Sequence, residues 1–217
     1  IWNLSQAKDI DVFFPIIHGN LGEDGTIQGL FRLLKKPYVG SGVLASAVAF
    51  DKHMTTQVLT AHGIRNTKYL VLTPDNRDDF DYASVQAKLG ANVFIKPANQ
   101  GSSVGIHKAG NEKEFDDGIA DAFRYDYKVL VEQTIDGPEE VEISILGNEK
   151  PQASKLGAIR VPDSDVFYDY NNKFVDASGV TFEVPVDLPA DLTAEITEMG
   201  LQTYAALGLK GMARIDY

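Results

Sequence analysis

The chain has 217 residues, 20 basic and 31 acidic side chains and a net charge of -11, which argues against non-specific binding to nucleic acid or an anionic membrane, since both need a basic face. Hydrophobic residues at 44% and charged residues at 24% are the proportions of a globular protein with a sizeable core. The absence of cysteine removes disulfides and thiolate chemistry and fits a reducing compartment, and no stretch has the length of a membrane span or the pattern of a leader.

In chain order, Asp11 to Ile17 reads as a buried strand, followed at once by His18-Gly19-Asn20-Leu21-Gly22-Glu23-Asp24-Gly25-Thr26. Ile27, Leu30, Phe31 and Leu34 recur at helical spacing, and Pro37 ends that helix. Strand, glycine-rich turn and helix make half of a Rossmann-like unit, in which ligands gather at the carboxyl end of the strand. His18 and Glu23 stand there; a histidine capping the turn and a carboxylate on the helix dipole would give the same pattern. Tyr38 to Gly42 predicts a short return strand and a hinge.

Val43 to about Phe50 is predicted helical, and a second helix runs from Asp51 to His62 with Gly63 closing it. Lys52 falls in the first turn of that helix, where the dipole is already positive. An anionic ligand explains the placement, as does a solvated surface lysine. Thr67 to Thr73 predicts a strand and Phe80 to Leu89 a helix closed by Gly90.

Asn92-Val93-Phe94-Ile95 then reads as a short buried strand ending in Lys96, with Pro97 stopping further pairing. The loop Ala98 to Val104 is polar, and alternation returns at Val104, Ile106 and His107, so strand leads to strand. Gly101 and Gly105 are suited to backbone angles that turn consecutive N–H groups toward one anion, and Ser102, Ser103 and Lys96 complete a polyphosphate cradle. An ordinary hairpin loop with a solvated lysine is the alternative. A P-loop is excluded, because no glycine-lysine-Ser/Thr triplet opens a helix.

A helix around Phe115, Ile119 and Phe123 precedes a strand from Lys128 to Ile135, a turn through Asp136-Gly137-Pro138 and a strand from Glu139 to Ile145. Glu132 and Glu139 flank the turn, where a carboxylate can accept from an adenine amino group or a ribose, or merely keep an edge strand soluble. Gln152 to Arg160 and Val180 to Val184 predict strands either side of an aromatic polar loop, Phe167 to Phe174. A helix from Pro189 to Leu207 leads into Met212-Ala213-Arg214-Ile215-Asp216. Starting on Ile1 and stopping in a strand-like run, the chain reads as an internal piece of a longer protein.

In this order the motifs resemble those of the D-alanine–D-alanine ligase family, a branch of the ATP-grasp superfamily. They are His18 to Thr26, Gly40-Ser41-Gly42, Phe50-Asp51-Lys52, Lys96-Pro97 running into Gly101-Ser102-Ser103-Val104-Gly105, Gly137-Pro138-Glu139, Tyr168-Asp169-Tyr170 with Lys173, and Gly211 to Asp216. Each is weak alone; the ordered set spans nearly the whole chain. The resemblance implies a mixed α/β and α+β ATP-grasp fold. Residues 1–43 would end a Rossmann-like N-terminal domain, 44–135 form the central ATP-grasp subdomain, and 136–217 begin the C-terminal antiparallel-sheet subdomain. ATP would lie between the last two.

The resemblance further implies a two-step reaction, in which one D-alanine carboxylate attacks the γ-phosphate of ATP and the amine of a second D-alanine displaces phosphate from the acyl phosphate. Carried over by position, Lys52, Lys96 and the Ser102-Ser103 loop would hold the nucleotide phosphates. Glu132 and Glu139 would bind adenine and ribose, and Thr134 and Ile135 would line the base pocket. Lys173 would reach the transferred phosphate, Arg214 the tetrahedral oxyanion, and Asp216 a magnesium (or manganese) ion. His18 would lie beside the acceptor, Ser102 would orient substrate, and Glu23 would support. The implied partners are small molecules only, in a cytoplasmic homodimer.

Two departures stand out. The family's further magnesium ligands, a glutamate and an asparagine on the strand after Asp216, have no counterpart in this chain, nor has its N-terminal glutamate for the first D-alanine, so this piece is expected not to turn over unaided. Phe174 stands where dipeptide-forming members carry tyrosine, and is similar to members that accept D-lactate. Loss of one hydroxyl can shift acceptor choice; a neutral packing substitution is the alternative. Another ATP-grasp carboxylate–amine ligase and a non-catalytic nucleotide-binding module are the rival functions at this stage.

Overall fold

The computed structural model describes residues 8–160 and 181–217. By their contacts, residues 50–139 form one compact unit, and 8–49 with 140–160 and 181–217 form another.

In the unit of residues 50–139, three helices and four strands follow one another. They are α3 (Lys52–Ala61), β1 (Tyr69–Leu72), α4 (Tyr82–Leu89), β2 (Val93–Pro97), β3 (His107–Ala109), α5 (Glu112–Ala122) and β4 (Val129–Gln133). The sheet order is β1-β4-β2-β3, and all neighbours are antiparallel. Helix starts are set by side-chain caps: Asp51 accepts from Met54 N–H, Asp81 from Ser84 N–H and Asn111 from Glu114 N–H. Strand alternation then decides the faces. Val93, Ile95, Val129 and Val131 pack with Val85, Leu89, Phe115 and Ile119 into a core under α4 and α5. Phe94, Lys96, Leu130 and Glu132 project from the other face, because Lys96 stands opposite Leu130 and Phe94 opposite Glu132. Tyr69, opposite Glu132 on β4's other side, meets the edge of the His53 ring of α3, with centroids 6.1 Å apart.

One sequence expectation fails here. Pro97 does not stop the pairing: it is the last residue of β2, in register with Val129, and Ala98 N–H still donates to Lys128 O at 2.9 Å. The imide position of a strand end needs no donor, so the ladder passes through it.

The second unit carries α1 (Thr26–Leu33) and α2 (Val43–Phe50), the latter ending where the other unit begins. It continues with β5 (Val141–Leu146), β6 (Gln152–Ala153), β7 (Gly157–Arg160), β8 (Thr181–Glu183), α6 (Ala190–Ala206) and β9 (Met212–Asp216). β5 is central, with β9 along one side, β6 and β7 on the other, and β8 beyond β7, all antiparallel. Val141 and Ile143 are buried with Leu156, Ala158, Val186 and Ile196. Gly200 lets α6 approach β5, since a Cβ there would sit 3.2 Å from Ile143 Cγ2. Loops from distant parts of the sequence meet beside this sheet. Lys210 N–H donates to Ser41 Oγ (3.1 Å), Ser41 Oγ–H donates to Lys210 O (3.3 Å), and a Cβ on Gly211 would lie 2.7 Å from Gly40 N.

Two further expectations are corrected in this unit. Asp11 to Ile17 is not a buried strand: Phe13 makes one parallel bridge to Tyr38, and Val12, Phe14 and Ile16 are exposed. An apolar run becomes a strand only with a ladder partner, and among the described residues only Tyr38 pairs with it. Gln152 to Arg160 is two strands rather than one. Ser154 Oγ accepts from Ser144 N–H (3.0 Å) and donates to Lys155 O (2.7 Å), so a side chain interrupts the ladder between β6 and β7.

Candidate functional site

Period-two geometry brings Lys96 and Glu132 to one face of neighbouring strands, and Lys96 Nζ donates to Glu132 Oε2 at 2.6 Å. These side chains are 23% and 14% exposed. Lys52, the first helical residue of α3, donates from Nζ to Gln100 O. Burial, and then the neighbouring charge of Lys96, push its amine down to about 8 despite Glu132, Asp51 and Asp126 nearby. The backbone donors at this helix start are already committed: Lys52 N–H to Ala98 O (3.0 Å) and Met54 N–H to Asp51 Oδ1 (3.1 Å). Of the two nominated lysines, Lys96 is ion-paired with Glu132 and Lys52 is held in surroundings that disfavour its charge. An anion between them would relieve that penalty.

The loop after β2 has left-handed backbone at Ser102 (φ 54°), Ser103 (φ 61°) and Gly105 (φ 69°). The expected turning residue Gly101 is not among them, so two serines carry angles that each cost on the order of 1 kcal/mol. Val104 N–H returns to Gly101 O (3.2 Å), closing a turn around the two serines. Gly105 is packed tightly, since a Cβ there would lie 2.7 Å from the Tyr125 ring and 2.8 Å from Pro97 Cγ. On the other strand end, Thr134 Oγ1 is buried and has no hydrogen-bond partner among the described residues. Ile135 is 55% exposed, and Glu139 lies in the exposed run that follows. Lys52, Lys96 and Glu132 are thus brought together, whereas Ile135 and Glu139 stand on open surface in this structure. Glu132, expected to face a base or ribose, is engaged by Lys96.

In the other unit, Arg214 and Asp216 project from β9 on the face away from α6. Arg214 Nε and Nη2 donate to the two carboxylate oxygens of Asp216 at 2.8 and 3.1 Å. Glu142 stands directly opposite Asp216 on β5, and its carboxylate is 3.4 Å from Arg214 Nη2. The hydrogen bonds it donates to Asp216, helped by the charges of Asp216, Glu142 and Glu23, hold the guanidinium above its ordinary value. Glu23 anchors the glycine-rich turn by accepting from Gly19 N–H (2.6 Å), and its other oxygen is 4.0 Å from His18 Nδ1. Gln28, on the first turns of α1, donates to Gly22 O (2.8 Å) while its buried Oε1 has no partner among the described residues.

Lys173 and Phe174 lie outside the described residues. Among those described, no group of three or more His, Asp or Glu side chains could hold a metal ion. Asp216 fits a magnesium ion as one oxygen ligand, with Glu142 adjacent, and not as a complete site. No helix among the described residues is long and apolar enough to cross a membrane. Sequence reasoning quoted Asp51 only within a motif and gave no role to Lys128, Asn99 or Gln28. Asp51 caps α3 and pairs with Lys128, Asn99 bonds to Asp51 and Asp126, and Gln28 donates to Gly22 O. Asp51 had a readable signal, an aspartate just before a helical run; the others depend on pairings that only the fold supplies.

Residues 58–217 match the family described as D-ala D-ala ligase C-terminus, and residues 2–41 that described as D-ala D-ala ligase N-terminus. The chain is 88% identical over 217 residues to the D-alanine–D-alanine ligase of Levilactobacillus brevis, covering 100% of this chain and 57% of that protein. To the D-alanine–D-alanine ligase of Lactiplantibacillus plantarum it is 71% identical, covering 59% of that protein. The chain thus spans somewhat under two thirds of the length of these curated relatives. Among solved structures, the VanG D-Ala:D-Ser ligase from Enterococcus faecalis matches with a TM-score of 0.82 at 33% identity, over 95% of this chain and 59% of that one. D-alanyl-alanine synthetase A from Vibrio cholerae matches with a TM-score of 0.84 at 33% identity, over 95% and 62%. The mixed helical and antiparallel architecture is that of these ATP-grasp ligases, and the chain belongs to the D-alanine–D-alanine ligase family.

Proposed function

We propose that this protein acts in the ATP-dependent joining of two D-alanines, giving D-alanyl-D-alanine, ADP and phosphate for peptidoglycan precursor synthesis in the cytoplasm. The observation that carries the reading is the convergence of the buried Lys52 amine of α3 with Lys96 and Glu132 on one face of the sheet. Family membership supplies the reaction class. In this reading residues 1–43, 44–135 and 136–217 serve as three functional parts.

Lys52 and Lys96 would neutralise the nucleotide phosphates, with the Ser102-Ser103 turn closing on them and Ser102 orienting substrate. Glu132, Thr134, Ile135 and Glu139 would take the adenosine; the unpaired Thr134 hydroxyl supports a polar ligand there. Lys173 would meet the transferred phosphate. Arg214 would hold the developing oxyanion, and to do so must exchange Asp216 for substrate. Asp216 would supply one ligand to a magnesium or manganese ion, whose chemistry is to offset phosphate charge. His18, held near Glu23, would stand at the acceptor. A homodimer of the whole protein belongs to this reading.

The acceptor is open to D-lactate, because Phe174 removes a hydroxyl from the expected acceptor pocket. That the same fold occurs in a D-Ala:D-Ser ligase supports the fold accommodating acceptors other than D-alanine. The test is phosphate release by the full-length protein with ATP and D-alanine, with and without D-lactate. Dependence on D-alanine, and a loss of about 100-fold or more in Lys96→Met, is expected. Release independent of D-alanine would refute the ligase; dipeptide as the only product at every pH would refute D-lactate.

A further inference from the structure

Beside the lysine pair lies a second pair that plays no part in the reading above. Lys128, just before β4, places Nζ 2.6 Å from Asp51 Oδ2, with side chains 10% and 14% exposed. The other Asp51 oxygen caps α3 through Met54 N–H, and Asn99 adds a side-chain hydrogen bond to the same carboxylate. Burial pushes the Asp51 carboxyl up, but the bonds from Lys128, Met54 and Asn99 outweigh it and hold it below its ordinary value. Asn99 is itself gripped, giving both its backbone N–H (2.7 Å) and its amide (2.9 Å) to Asp126 Oδ2. Backbone bonds reinforce the seam, with Lys52 N–H to Ala98 O and Ala98 N–H to Lys128 O.

Three segments are thereby fastened at one point: the first turn of α3, the loop after β2, and the turn into β4. What they jointly present is the Lys52 amine, aimed at the carbonyl of Gln100. Cap and pair can be separated chemically, because a serine caps a helix as well as an aspartate does but carries no charge.

We infer that Asp51 and Lys128 are positioning residues for nucleotide binding, a buried ion pair that fixes where the Lys52 amine stands relative to Lys96 and the serine turn. The inference rests on the nucleotide reading of Lys52 and Lys96. It predicts that losing the pair weakens nucleotide binding only through Lys52.

The experiment is calorimetric titration of the full-length protein with the non-hydrolysable ATP analogue AMP-PNP, in Asp51→Ser, Lys52→Met, Lys96→Met, Asp51→Ser/Lys52→Met and Asp51→Ser/Lys128→Met. The last variant removes both charges, so that no unpaired buried lysine compromises folding. Asp51→Ser and the Asp51→Ser/Lys128→Met variant should each bind about 10-fold more weakly. Once Lys52 is methionine, adding Asp51→Ser should cost nothing more. Additive losses in the double variant, or unchanged affinity in Asp51→Ser with a lowered melting temperature, would overturn the inference while leaving the nucleotide reading intact. Full affinity in both Lys52→Met and Lys96→Met would overturn that reading and the inference with it.

Discussion

The two sheets solve the same problem differently. Each buries one face under helices and sets its charged side chains on the other, yet the pairs differ in depth and reach. In the β1-β4-β2-β3 sheet unit the pairs Lys128–Asp51 and Lys96–Glu132 join separate elements and are mostly buried. Around β5 the Arg214–Asp216 pair joins two residues of one strand, with side chains 57% and 58% exposed. Buried pairs between elements fix geometry, because removing one partner strands the other in low dielectric. An exposed pair within a strand fixes little and exchanges partners readily. The first arrangement suits holding a ligand in a set place; the second suits a guanidinium that must let go of its neighbour.

The largest test of this contrast is Lys128→Met, which leaves Asp51 buried without its cation. It should cost about 3 kcal/mol of stability in urea unfolding, with Asp51→Ser/Lys128→Met recovering part of it. A pH series comes next. Lys52 has a folded value of about 8 against an ordinary 10.5, so between these the unfolded chain binds more protons and stability rises with pH. The gain should be about 3 kcal/mol, complete above 10.5, absent below 8 and missing in Lys52→Met. Thermal unfolding across that range, compared between the two proteins, checks it.

Gly105→Ala should cost about 2 kcal/mol and loosen the serine turn, since its Cβ meets Tyr125 and Pro97 at a left-handed angle. Hydrogen exchange over residues 100–107 would register the loosening. The smallest effect belongs to the other sheet: Asp216→Asn leaves Arg214 beside Glu142 and should change stability by less than about 1 kcal/mol. A larger loss there would erase the distinction between the two sheets.

Much of the first unit was legible because its signals are local. Caps, alternation and glycine stops mark α3, α4, β2 and β4, and alternation alone puts Lys96 and Glu132 on a face away from the core. The dipole argument singled out Lys52, and its amine is held against its charge for a different reason, burial first and then the neighbouring Lys96. What could not be read depends on pairing at a distance. Asp51 and Lys128 are 77 residues apart, and nothing in either neighbourhood names the other. The apolar run from Asp11 to Ile17 looks like a strand for lack of any way to see whether a ladder partner exists. The turn angles fall on Ser102 and Ser103 rather than Gly101, because the Gly101–Val104 turn is placed by its neighbours, against residue preference.

The contacts joining Ser41 to Lys210 span 169 residues, and the whole 50–139 unit lies between them in the chain. A polymer seldom brings such remote points together until the intervening stretch has collapsed, since closure entropy grows with the length of free chain. Collapse of the inserted unit would shorten that tether, so the Ser41–Lys210 contact is expected to close after it. Pulse-labelled exchange during refolding should find amides of β2 and β4 protected before the Lys210 amide that donates to Ser41 Oγ.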